Sequence, residues 1–382
     1  MNNPIKLIIS ALFILETFGC VDSKEKQSGE VIEIDFSNEE KDSNSLTTSL
    51  FECRKMVRLE TTKESVFTNI NRLIIFENQF YIFDLSSESI LVFNDKGHFL
   101  FKIKPSGRGP GEYLQLSDFS IDIHKRQLVL LCDIPQSLMI YDLNGEFIAH
   151  KEMPEFNKSL SIGLNSMFFV RFVIEENENF ICIDSNNECA EFLPIEDYIR
   201  DKMFYSFHPE IIRSNNTYFT KVYDSNIYEL KEDSVRLKYS LNLSGKFVNT
   251  NIVKQNSKDD IQRICFDQNL IYRISDFRES NNYLTFCTSP FSYLVIYNKV
   301  KKQPKIYSKL YDPEIGLHLH NAMHIAHDGE GQDLVYIVPP EIFKNNVLSH
   351  IKEPNDSLDF YRETAENLKI TDNPVLMIYT LK

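Results

Sequence analysis

Tryptophan is missing from all 382 residues. That weakens any expectation of a broad aromatic platform for stacking sugars, although the 18 tyrosines can substitute. Basic clusters are also lacking, and the formal charge is -14. An acidic chain without a basic patch repels phosphates, which disfavours nucleic acid as a partner. There is no Cys-x-x-Cys and no zinc spacing among the seven cysteines. No Gly-x-Ser-x-Gly elbow, P-loop or dinucleotide fingerprint occurs, since Gly107-Arg-Gly-Pro-Gly111 leads neither from strand to helix nor into Lys-Ser/Thr. No Pro/Gly/Ser-rich linker divides the chain beyond residue 50.

The N-terminus carries an export pattern. Lys6 precedes the apolar run Leu7 to Leu15, which is too short for a stable bilayer span. It ends at Gly19-Cys20, a lipobox-like site at which Cys20 becomes the acylated first residue of the mature protein. Residues 1–20 therefore read as a lipoprotein signal peptide. Residues 21–50, rich in Ser, Asn, Glu, Asp and Lys, read as a flexible tether with one brief apolar alternation from Val31 to Phe36. The expected address is the cell envelope, lipid-anchored, at the outer membrane.

The body from residue 51 is organised by repetition. The hairpin Ile90–Ile103 returns as Leu138–His150, with the aromatic, the turn glycine and the following phenylalanine in register. A period of about 40–50 residues points to radially repeated four-stranded sheets. Turn chemistry divides the chain into six such units, the last interrupted by a helical insertion at about 340–369. The terminal strand Val375–Leu381 has no hairpin partner, so it is expected to pair with Lys55–Glu60 and close the ring. The fold class is therefore all-β: a six-bladed β-propeller of four-stranded antiparallel blades over residues 51–382.

Leu59-Glu-Thr-Thr62, Tyr81-Ile-Phe-Asp84, Asp95-Lys-Gly97, Gly107-Arg-Gly-Pro-Gly-Glu-Tyr113 and the stretch Asp372 to Lys382 together resemble the six-bladed β-propeller lipoproteins of the Bacteroidales. The resemblance covers nearly the whole mature chain. It implies an NHL- or TolB-like propeller, exported and lipid-anchored, and carries no established activity.

Within this frame two segments stand out. Gly107 to Tyr113 crosses from the first blade to the second on the face where ligands enter a channel. Its Arg108, Glu112 and Tyr113 are candidate ligand contacts, or else the first two bridge the blades while the tyrosine packs between them. The densest titratable cluster is His318, His320, His324, His327 and Asp328, a candidate divalent-metal site that would support a metal-assisted lyase or hydrolase. Asp118 and Asp122 are expected to be solvated. Cys182 and Cys189 are the one pair whose spacing invites a disulfide. A turn at Ser185-Asn186 makes theirs a widely spaced hydrogen-bonded pair, so buried free thiols are the expectation. The leading functional expectation is a non-enzymatic binding module for a small molecule, glycan fragment or envelope protein, needing no cofactor; its partners are the membrane, through the lipid, and the ligand.

Overall fold

In a computed structural model the chain is described at residues 29–36, 50–104, 107, 109–153, 155–172, 177–185, 188–203, 210–213, 216–308, 310–319, 333–353 and 356–382. The elements follow the repeat. After β1 (Glu30–Glu33) and β2 (Phe51–Arg58), the first blade comprises β3 (Arg72–Phe76), β4 (Gln79–Asp84), β5 (Ser89–Asn94) and β6 (Phe99–Ile103). The second comprises β7 (Gln115–Asp122), β8 (Gln127–Ile134), β9 (Ser137–Asp142) and β10 (Phe147–Glu152). The third comprises β11 (Asn157–Ile162), β12 (Ser166–Arg171), β13 (Asn179–Ser185) and β14 (Glu188–Pro194), followed by α1 (Asp197–Arg200). The fourth comprises β15 (Ile211–Arg213), β16 (Thr217–Phe219), β17 (Asn226–Leu230) and β18 (Val235–Asn242).

Helices α2 (Thr250–Gln255) and α3 (Lys258–Asp267) then lead to the fifth blade of β19 (Arg273–Glu279), β20 (Tyr283–Ser289), β21 (Leu294–Asn298) and β22 (Gln303–Tyr307). The short pair β23 (Tyr311–Asp312) and β24 (Leu317–His318) precedes β25 (Asp333–Val338), α4 (Pro340–His350), α5 (Asp359–Asn367) and β26 (Val375–Leu381).

Each complete blade is an antiparallel sheet in chain order. Middle strands such as β4 and β5 are buried almost throughout, because both of their faces meet neighbouring blades. The outer strand β10 alternates half-buried and exposed residues, as a strand with one wet face should.

The doubled hairpin repeats at the level of atoms. In the first copy Asn94 Oδ1 accepts from the backbone N–H groups of Lys96 and His98; in the second Asp142 Oδ1 accepts from those of Asn144 and Glu146. Gly97 and Gly145 both sit at positive φ, +84° and +87°. Glycine takes up that conformation without the Cβ clash other residues meet.

Closure occurs as the sequence implies. β26 pairs with β2 from Phe51↔Leu381 to Arg58↔Val375 and with β25 on its other side. Val57 and Leu59 then pack with Leu376 and Ile378 against Leu73, Ile82 and Phe93 of the first blade. A continuous apolar layer thus joins last blade to first, as it joins the first to the second through Phe83 and Phe119. An open array would leave these edges bare.

Two expectations need correction. Within the stretch read as tether, β1 runs parallel to β18 from Glu30↔Tyr239 to Glu33↔Asn242, and residues 34–36 continue from it. Its alternation buries Ile32, Ile34 and Phe36 against the interface of the fourth and fifth blades, which offsets the entropy of ordering it. The rest of the expected signal peptide and tether, 1–28 and 37–49, lies outside the described residues. Cys182 and Cys189 are joined in a disulfide, with Cα atoms 5.8 Å apart. Ser185 pairs with Glu188, Asp184 with Cys189 and Cys182 with Glu191, so the pairing is shifted by two residues from the expected register and the cysteines are diagonal rather than opposite.

The helical insertion is present as α4 and α5. Phe343 and Val347 from the first, and Ala365 from the second, bury against the fifth and sixth blades.

Candidate functional site

The first strand of each blade faces the central channel with one edge unpaired. Backbone N–H and C=O groups on such an edge need other partners when buried. On β11 they find side chains from other blades. Asp118, on β7, accepts from the Leu160 N–H at 2.8 Å, while Arg72, on β3, donates to the Leu160 carbonyl at 3.0 Å. Arg72 and Asp118 also pair with each other at 2.5 Å. One turn of the pleat further on, Arg213 donates to the Ile162 carbonyl at 2.6 Å. Burial draws the Arg213 guanidinium below its ordinary value, and the field of Asp122 opposes that shift.

Asp118 and Asp122 are therefore not solvated carboxylates: each is 5% exposed. Asp122 accepts from the backbone N–H groups of His124 and Lys125 and so caps its own turn. The ring supplies Asp118 with donors from other blades, Arg72 and the Leu160 N–H, whereas Asp122 takes its donors from the turn that follows it.

A second group meets between the third, fourth and fifth blades. Lys158 Nζ lies 2.6 Å from Glu210, and Arg273 approaches the other Glu210 oxygen at 3.7 Å. Glu210 and Arg273 are almost fully buried. Sequence reasoning passed over these residues. Their one signal is position, since each stands at or beside the start of the first strand of its repeat.

Beyond the channel, Arg171 at the end of β12 is held by Glu155 and by Glu191 at 3.1 Å. At the interface of the fourth and fifth blades, Glu279 accepts from Tyr218, from Tyr239 at 2.7 Å and from Lys299 at 2.6 Å. Burial alone would raise the Glu279 carboxyl, but Lys299 and the two phenols outweigh it and hold the group below the usual carboxylate range.

The residues singled out from sequence take the following places. Glu112 turns back into its own loop and accepts from the Gly109 N–H at 2.8 Å. Tyr113 is fully buried at the crossing, donating to the Glu88 carbonyl at 2.8 Å, and burial pushes its phenol well up. Tyr113 thus packs at the blade crossing, while the Glu112 bond stays within its own loop. Arg108 lies outside the described residues. His318 is exposed on β24, its ring 4.7 Å from that of Tyr311. His320, His324, His327 and Asp328 lie outside the described residues. Among the described residues no three His, Cys, Asp or Glu side chains are grouped to hold a metal ion. Among them, too, no helix is long and apolar enough to cross a membrane.

The chain belongs to a family described as a domain of unknown function, DUF4934, whose model matches residues 30–380. The match begins at the first residue of β1, which agrees with that strand's place in the fold. No curated protein matches the sequence. Among solved structures, a Bacteroides fragilis protein inferred to be exported is similar with a TM-score of 0.74 at 16% identity, over 92% of this chain and 99% of its own. A DUF4221 family member from Bacteroides vulgatus is similar with a TM-score of 0.51 at 9% identity, over 87% of this chain and 97% of its own. These likenesses establish the propeller fold.

Proposed function

We propose that this DUF4934 chain is an exported, lipid-anchored propeller that binds its ligand at the channel face without transforming it. The N-terminal pattern ending at Cys20 supports the address, as does the export inferred for the similar Bacteroides fragilis protein. The observation that carries the binding reading is the meeting of Lys158, Glu210 and Arg273 from three successive blades. Ion pairs withdrawn from water are costly, and apolar side chains of similar volume often fill such a space at equal or lower free energy. Charges kept in a channel therefore point to use, and ligand sites combine a rigid scaffold with a few converging polar groups.

Equilibrium dialysis of the full chain against a mixture of small carboxylates, sugar phosphates and oligosaccharides, read by mass spectrometry, should yield a saturable binder. Lys158→Met should abolish that binding while the protein stays folded by circular dichroism. Absence of any binder, or binding indifferent to Lys158→Met, overturns the assignment. For the address, Cys20→Ser should move the protein from the membrane to the soluble fraction; continued lipid labelling of that variant refutes acylation at Cys20.

A further inference from the structure

A second concavity lies away from the channel, where the ring closes. It is a cleft of about 710 Å³ between β2, the outer turn of the first blade and α5. That volume is in the range of small-molecule sites, about 300–1,000 Å³. Its floor is preformed. Gly97 approaches β2 so closely that an added Cβ would lie 2.1 Å from the Arg58 carbonyl oxygen, and the Gly97 carbonyl accepts from the Glu60 N–H at 2.8 Å. The opposite wall is α5, fixed by its buried Ala365, and it carries Phe360, 62% exposed, at the cleft.

Four cationic side chains, Lys55, Arg58, Lys96 and Lys369, line this cleft against three carboxylates, Glu60, Asp95 and Asp372, an excess of one positive charge. Of its carboxylates, Glu60 accepts from the Phe99 N–H at 2.8 Å, while Asp372 accepts from the Lys369 N–H at 3.0 Å and pairs with Arg58 at 3.1 Å. Lys55, Lys96 and Lys369 also line it, all exposed, and among the described residues none of their ammonium groups has an ion-pair partner. On a chain of charge -14 a concave surface with three uncommitted ammonium groups is a local reversal of sign. A concave site with a positive excess and ammonium groups free of ion pairs attracts anions. An exposed phenylalanine beside them adds a face on which a ring can lie.

We infer that this cleft is an anion site for a small ring-bearing polyanion, one that presents two or more carboxylate, sulfate or phosphate groups to Lys55, Lys96 and Lys369 while its ring packs on Phe360. The site is separate from the channel and stands or falls independently of it.

Isothermal titration of the full chain at low salt with two probes tests this: benzene-1,3,5-tricarboxylate and a sulfated disaccharide. Both should bind saturably, and inorganic phosphate should bind more weakly than either. Each exposed charge pair is worth up to about 1 kcal/mol, roughly fivefold in affinity. Lys96→Gln with Lys369→Gln should then weaken both probes by about 25-fold, and Phe360→Ala should weaken them with no effect on phosphate. Both lysines are exposed, so the variants should keep the wild-type melting temperature. Failure of both probes to bind, loss of less than about twofold in the double lysine variant, or equal binding of the neutral tricarboxamide would each overturn the inference. Lys158→Met leaves this binding unchanged, which separates its failure from that of the channel reading.

Discussion

Removing Asp118 should be among the most damaging single changes this chain can suffer. Its carboxylate serves Arg72 and the Leu160 N–H at once, and both it and Arg72 are almost wholly buried. Asp118→Ala leaves a buried guanidinium without its counter-charge, a loss of roughly 3–5 kcal/mol. Asp118→Asn keeps an acceptor for Leu160 but not the charge, and should cost about 1.5–3 kcal/mol. Arg72→Met should resemble Asp118→Ala, since it strands the carboxylate instead. The informative variant is the double one. Arg72→Met with Asp118→Ala removes both charges and leaves only the two Leu160 backbone groups uncapped, at about 1–3 kcal/mol each. It should therefore cost about as much as one single variant, giving a coupling of roughly 4 kcal/mol in a double-mutant cycle. Equilibrium unfolding in guanidinium chloride measures all four proteins. Single variants that lose less than about 1 kcal/mol, or a double variant that equals the sum of its parts, would refute the claim that this pair is a buried cap on β11.

The two copies of the repeated hairpin allow a paired comparison. Gly97→Ala and Gly145→Ala each pay for a left-handed residue, about 1–2 kcal/mol. A Cβ at Gly97 also meets the backbone of β2, whereas one at Gly145 meets the Phe101 ring, which can rotate. Thermal unfolding should rank Gly97→Ala as the more destabilised, and the reverse order would sink the argument. Glu279→Gln should flatten the acid limb of the stability curve. Because the folded carboxyl lies below its unfolded range, its contribution is complete above pH about 4.3 and is lost as pH falls through the folded value. Denaturant titrations at neutral pH and at acid pH should show the variant weaker at the former and closer to wild type at the latter; an unchanged acid limb contradicts the assignment.

What was legible in the sequence was whatever has local marks. Turn glycines, strand alternation and a terminal strand without a hairpin partner are each readable within a few residues, and they yielded the blade count and the β2–β26 closure. Helical spacing did the same for α4 and α5. β1 escaped because its partner β18 is some two hundred residues away and parallel pairing has no turn to announce it. The Cys182–Cys189 register was misjudged by two residues because Asn186-Asn187 stands where the first two blades carry the glycine that fixes the turn. Glu112 and Tyr113 were visible as unusual, yet their spacing could not tell a ligand contact from a blade crossing.

The channel charges were the least legible feature, and the reason bears on how they work. In a ring, the free edges of all inner strands converge, so an acid or base on one blade is placed by the backbone of another. Arg72, Asp118 and Leu160 come from three successive blades, and no separation along the chain predicts their meeting. The same geometry sorts the charges into two kinds. Arg72, Asp118 and Arg213 are spent on backbone groups of β11, and withdrawing them leaves those groups unsatisfied. Lys158 and Glu210 are bonded to each other across two blades, so a ligand that offers either a better partner can exchange for it without uncovering the main chain. Substitutions of the first kind should therefore read out in stability and those of the second in binding, which is why Lys158, and not Arg72, is the residue on which the binding proposal is staked.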